Sequence, residues 1–116
     1  MTVSTFFQDT LFFSAPALNT AGTSTSALQV AVQDTAACKN FVFQITVANI
    51  GTNVVVRAEG SLDGTNYFNL GSGDTTITAN GTTRLAFSDL PVKYVRGTLV
   101  SISTGTPTVT FVISAL

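Results

Sequence analysis

Residues 53–70 read NVVVRAEGSLDGTNYFNL, and the fold is decided in this stretch. Val54, Val56 and Ala58 fall on one face of an extended chain and Val55, Arg57 and Glu59 on the other, which is the period of two of a half-buried strand. Phe68 and Leu70 resume the apolar face after a reversal. In between, Asp63 can bond its own backbone and Gly64 can take positive φ without a Cβ clash. The stretch is therefore a β-hairpin.

The flanking sequence continues the alternation. Upstream, Phe41, Phe43, Ile45 and Val47 line one side of the longest expected strand, with Gln44 and Thr46 on the other, and Asn49-Ile50-Gly51-Thr52 turns it into the hairpin. Leu28, Val30 and Val32 alternate with Gln29, Ala31 and Gln33 over residues 26–33, and residues 34–40 connect. Downstream, Gly71-Ser72-Gly73-Asp74 is too glycine-rich to continue a strand. Residues 75–79 and 82–88 are expected to pair as a second hairpin through Asn80-Gly81, with Leu85 and Phe87 facing in. Asp89-Leu90-Pro91 breaks that run, residues 93–103 form the next strand, and Gly105-Thr106-Pro107 leads to a last one with Val109, Phe111 and Ile113 on its apolar side. About eight strands and no helix of any length make an all-β, antiparallel β-sandwich of jelly-roll or other Greek-key type.

Residues 1–25 differ in character. Phe6-Phe7 and Phe12-Phe13 flank a polar patch, and residues 14–25 are rich in Ala, Ser, Thr, Gly and Pro without clear periodicity. Two expectations follow, a first strand and loop packed on the same domain, or an extended N-terminal arm laying Phe6, Phe7, Phe12 and Phe13 on a neighbouring subunit. Four freely exposed rings would form an unusually large apolar patch, which argues for contact with another molecule. The organisation expected is an arm over residues 1–25 and one sandwich domain over 26–116, since 116 residues fit a single core.

Composition narrows the classes of function. Charged residues are 9% of the chain, well under the usual quarter, while twenty are Thr, so the surface is made of hydroxyls and amides. A net charge of −1 with five scattered Lys and Arg supplies no basic stripe, so nucleic acid is not an expected partner. The apolar runs are short and interrupted, far from the roughly 20 residues of a membrane helix, so no membrane is expected either. Cys38 is the single cysteine, read as a buried, inert thiol. Ala15-Pro16-Ala17 imitates a signal-peptidase site, but no positive charge precedes it, and production in the cytoplasm is the simplest expectation.

Histidine is absent, which removes the usual base of a Ser or Cys nucleophile and the commonest ligand of catalytic zinc. Glu59 and Asp63 are the one carboxylate pair close in sequence, and both read as solvated surface or turn residues at a hairpin tip rather than a glycosidase dyad. Asp63 and Asn66 are too few to hold calcium, and Gly71-Ser72-Gly73 lacks the Lys and the helix of a phosphate loop, so no metal or cofactor is expected. Tyr67 and Tyr94 are candidates for stacking on sugar rings, with half-buried packing the plainer reading. Asp63, Asn66 and Tyr67 thus form a candidate ligand loop. Arg57, Arg84 and Arg96 lie mid-strand on wet faces, open to ion pairs with Glu59 or Asp89 or to a partner subunit.

The segment EGSLDGTNYFNL at 59–70, followed by a strand pair and LPVKYVRGTLVS at 90–101, resembles a pattern in small β-sandwich structural proteins of tailed bacteriophages. Its Asp-Gly-Thr-Asn turn before an aromatic residue is also similar to discoidin-like carbohydrate-binding jelly rolls, which usually carry Trp where Tyr67 stands. The likeness spans roughly residues 40–114. The phage resemblance implies a virion protein that decorates or cements a capsid or belongs to the tail, in contact with the major capsid protein or other virion proteins, and the expected functional state is a homo-oligomer, trimeric or larger. A sandwich with so few charges to protect its sheet edges suits such assembly. The alternatives are a carbohydrate- or host-receptor-binding module and an extracellular filament subunit that assembles by strand addition.

Overall fold

The computed structural model describes residues 11–31 and 38–116. Among these residues there are ten strands: β1 (Leu11–Ser14), β2 (Thr23–Ser24), β3 (Leu28–Gln29), β4 (Phe41–Ala48), β5 (Val54–Ser61), β6 (Tyr67–Asn69), β7 (Thr75–Ile77), β8 (Gly81–Phe87), β9 (Tyr94–Ile102) and β10 (Thr108–Ala115). They form two antiparallel sheets, β1-β10-β4-β8 in one and β2-β9-β5-β6 in the other, with β3 also on β9 and β7 also on β5. β2 and β3 lie end to end along one side of β9, and β6 and β7 lie end to end along β5. The ten elements thus fill eight strand positions.

The chain changes sheet at every connection between these positions except the β5–β6 turn, and the first strand lies beside the last. That is the jelly-roll winding, which selects among the Greek-key arrangements the alternation allows. The hairpin at residues 59–70 is confirmed, with Ser61 opposite Tyr67.

The core lies between the sheets. Phe41, Phe43, Ile45 and Val47 of β4 meet Val54, Val56 and Ala58 of β5, Val95 and Leu99 of β9, and Val109, Phe111 and Ile113 of β10, all buried. Gly97 belongs to this inner face, and the ring of Phe111 occupies the space a side chain there would need. Cys38 is buried in the same cluster.

Three expectations are corrected. Asn80-Gly81 does not close a hairpin, because β7 pairs with β5 in one sheet while β8 pairs with β4 in the other. The dipeptide is a corner between layers, where the Asn80 side-chain oxygen accepts the Ile50 N–H at 2.8 Å and Gly81 takes φ 137°. Phe68 does not join the apolar interior but stands 46% exposed. It pairs with Gly60, and the space over that glycine is filled by Leu70 and Val92. Glu59 is not a solvated residue, since only 5% of it is exposed.

From Leu11 onward the N-terminal segment is part of the sandwich. β1 runs along β10 with Leu11 opposite Ala115, Leu18 bridges to Val109, and β2 adds to β9. Phe6 and Phe7, expected to touch a neighbouring subunit, lie outside the described residues.

Candidate functional site

The two outer faces of the sandwich are chemically opposite. On the β9–β5–β6 sheet, residues alternate so that Arg57, Glu59 and Ser61 of β5 point outward beside Tyr94, Arg96 and Thr98 of β9. Register places Glu59 between Arg96 and Asn69, and Ser61 between Tyr94 and Tyr67. Arg96 Nε donates to Glu59 Oε1 at 2.7 Å, and Arg57 Nη1 donates to Oε2 at 3.2 Å. Arg57 also grips Asp74 with two bonds, Nε to Oδ1 at 2.7 Å and Nη2 to Oδ2 at 3.0 Å. The Arg96 guanidinium lies 3.8 Å from the centre of the Tyr67 ring, a cation–π contact that covers one face of that ring.

These charges satisfy one another. Burial pushes the Glu59 carboxyl up, but hydrogen bonds from Arg96, Thr98 and Arg57 outweigh it and hold the group below its ordinary range. Asp74 is lowered by its hydrogen bonds from Arg57, and Arg57 is raised by Asp74 first and Glu59 second. The pairing of Arg57 and Arg96 with Glu59 was legible as an option from the alternation. The role of Asp74 was missed, because it sits in a loop whose return over β5 no local pattern announces.

The candidate ligand loop is engaged in its own closure. Ser61 Oγ accepts the Gly64 N–H at 2.8 Å and donates to Asp63 Oδ1 at 3.0 Å. The same Oδ1 accepts the Thr65 and Asn66 N–H groups, each at 2.8 Å, and Oδ2 accepts Asn66 Nδ2 at 2.9 Å. The Asn66 and Thr65 amides lead the interactions that hold the Asp63 carboxyl far below its usual range. Gly64, at φ 79°, brings the turn against the Tyr94 ring. A general acid needs a raised carboxyl, and both Glu59 and Asp63 are shifted the other way. Among the described residues no three His, Cys, Asp or Glu side chains come together as a metal site would require.

The outer face of the β1-β10-β4-β8 sheet carries hardly any charge. Its rows run Phe12–Ser114–Val42–Ala86 and Ser14–Val112–Gln44–Arg84, with Thr110–Thr46–Thr82 beyond. Phe12 is 74% exposed, Val42 and Leu116 are exposed too, and Arg84 is the one charged side chain in these rows. A shallow groove of about 310 Å³ opens on this face, lined mainly by Phe41, Val42, Ala86, Phe87 and Leu116. Of the four expected contact aromatics, Phe12 is thus presented outward, whereas Phe13 packs against the core.

No protein-family model and no curated protein matches the chain. Among solved structures it is similar to the SPBc2 prophage-derived protein YomS, with a TM-score of 0.57 and 12% identity over 91% of this chain and 93% of that one. At that identity the likeness is one of fold.

Proposed function

We propose that this chain is a non-enzymatic structural protein of a phage virion, which decorates or cements a capsid by repeated contacts with neighbouring subunits. The observation that carries the reading is the face bearing Phe12, an apolar and hydroxyl-coated sheet with a 74% exposed ring and an open groove. Exposed apolar area of this kind marks a surface that another molecule covers. On the opposite face Glu59 and Asp74 are paired with Arg57 and Arg96, and in the ligand loop Asp63 is taken up by the turn, so all three carboxylates are engaged within the protein. A shared fold with a prophage-derived protein supports a phage setting.

In this reading the functional state is a homo-oligomer, trimeric or larger, seated on the major capsid protein or another virion protein after assembly in the host cytoplasm. Weak contacts repeated around a lattice replace a single tight site. The test is to purify particles and to look for the chain by mass spectrometry and labelled antibody. It is expected on the particle surface in a fixed ratio to the shell protein, and particles made with Phe12→Ser are expected to lose it. Particles that lack the chain, or keep it unchanged after that substitution, would refute the proposal.

A further inference from the structure

Among the described residues the sheet that bears Phe12 ends in two strands, β1 and β8, each paired on one side only. The edges of the other sheet are short pieces of two or three residues, which is a common way to discourage pairing. β8 is different. It runs for seven residues with Arg84 as its single charge.

Successive strands of this sheet alternate in direction, so β8 runs opposite to β1. A second copy turned about an axis along the strands therefore offers its β1 to β8 in the antiparallel sense, with inner and outer faces preserved. Phe12 and Ala86 already lie in one row, three strand spacings or about 14 Å apart. Extending that row without stagger sets the pairs by count. On the outer face the neighbour's Phe12 meets Ala86 beside the groove, and its Ser14 meets Arg84. On the inner face its Leu11 meets Phe87 and its Phe13 meets Leu85. Apolar residues oppose apolar ones, and the single charge meets a hydroxyl.

A two-fold pairing of β8 with itself centred on Arg84 would set two guanidinium groups opposite each other, an unfavourable cross-strand pair. We infer that β1 of one copy adds to β8 of the next, joining the sheets of three or more copies into a closed ring with Phe12 over the groove at Ala86. The inference deepens the proposed function by naming the subunit contact, and it rests on that reading only for its biological setting. A head-to-tail contact closes a ring where the rotation between copies completes a full turn and builds an open filament where it does not.

The test is crosslinking of the full chain carrying Ser14→Cys and Arg84→Cys together, which leaves the Phe12 ring in the contact. Both positions are exposed in the single copy, so folding is not at stake, and the parent chain controls for buried Cys38. Mild oxidation is expected to give a ladder of covalent multimers that stops at one ring size, while either single variant gives none. Ser14→Asp, placed opposite Arg84, is expected to tighten assembly about two- to fivefold by light scattering, and Ser14→Lys to loosen it similarly. A monomer with no ladder, or a dimer formed by either single variant, would overturn the contact. Neither result would remove the chain from a particle, which separates this failure from failure of the virion role.

Discussion

The backbone of Gly97 in β9 lies against the ring of Phe111 in β10, so close that a β-carbon at 97 would overlap it. The two residues come from opposite sheets, and the glycine lets the fully buried ring cross the interior. Gly97→Ala is expected to destabilise the fold by about 1–3 kcal/mol through overpacking, measured by urea denaturation. Gly73→Ala is the control, because a β-carbon there meets nothing and its change should stay within about 0.5 kcal/mol.

Glu59 gives the fold an acid limit. The folded-state values of Glu59 and Asp74 lie below their ordinary ones, so the stability they contribute is complete above about pH 4.5 and is lost as pH falls through the lowered values. Denaturation midpoints are expected to stay level from pH 7 to about 5 and to drop below about 4. Glu59→Gln should cost about 1–3 kcal/mol at neutral pH, less than a fully buried pair because both arginines remain partly in water, and should flatten the acid slope. An unchanged slope would mean that other carboxylates set the limit.

Asp63 organises a turn and little else. Asp63→Ala is expected to speed hydrogen exchange at the Thr65 and Asn66 amides, which lose their acceptor, while exchange along the β5–β9 ladder stays as it was. Faster exchange throughout the sheet would show that the turn sets the register of the whole hairpin.

The corner at Asn80 can be probed alone. Asn80→Ala removes the acceptor of the Ile50 N–H and should cost about 0.5–1 kcal/mol, seen as a lower thermal midpoint. No loss would indicate that water replaces the side chain at this exposed site.

The inward faces of β4, β5 and β10 could be read directly from alternation, because a buried strand face imposes a period of two on its residues. Asn80-Gly81 misled because turn chemistry reports local backbone conformation and is blind to which sheet receives the next strand. Glu59 misled for a related reason. It does point outward, but Arg96 and Asn69 arrive from neighbouring strands and, with Arg57 of its own strand, cover it, and only the register reveals those two. The turn at Asp63 and Gly64 was legible because every hydrogen-bond partner that closes it lies within a few residues, whereas its packing on Tyr94 was not. The apolar character of the sheet bearing Phe12 was visible only in part, as aromatic pairs near the start of the chain rather than as a continuous face.

β10 occupies an interior lane of its sheet, flanked by β1 from the beginning of the chain and by β4 from the middle. A polypeptide emerging from the ribosome therefore cannot complete that layer until residues 108–115 have cleared the exit tunnel, because β1 has no other partner in it and β4 holds only β8. Folding of this layer consequently waits for β10 and is gated by contacts distant in sequence, the regime in which β proteins are slow. A chain cut short before that strand would keep the pairing of β4 with β8 but leave β1 with nothing to pair against.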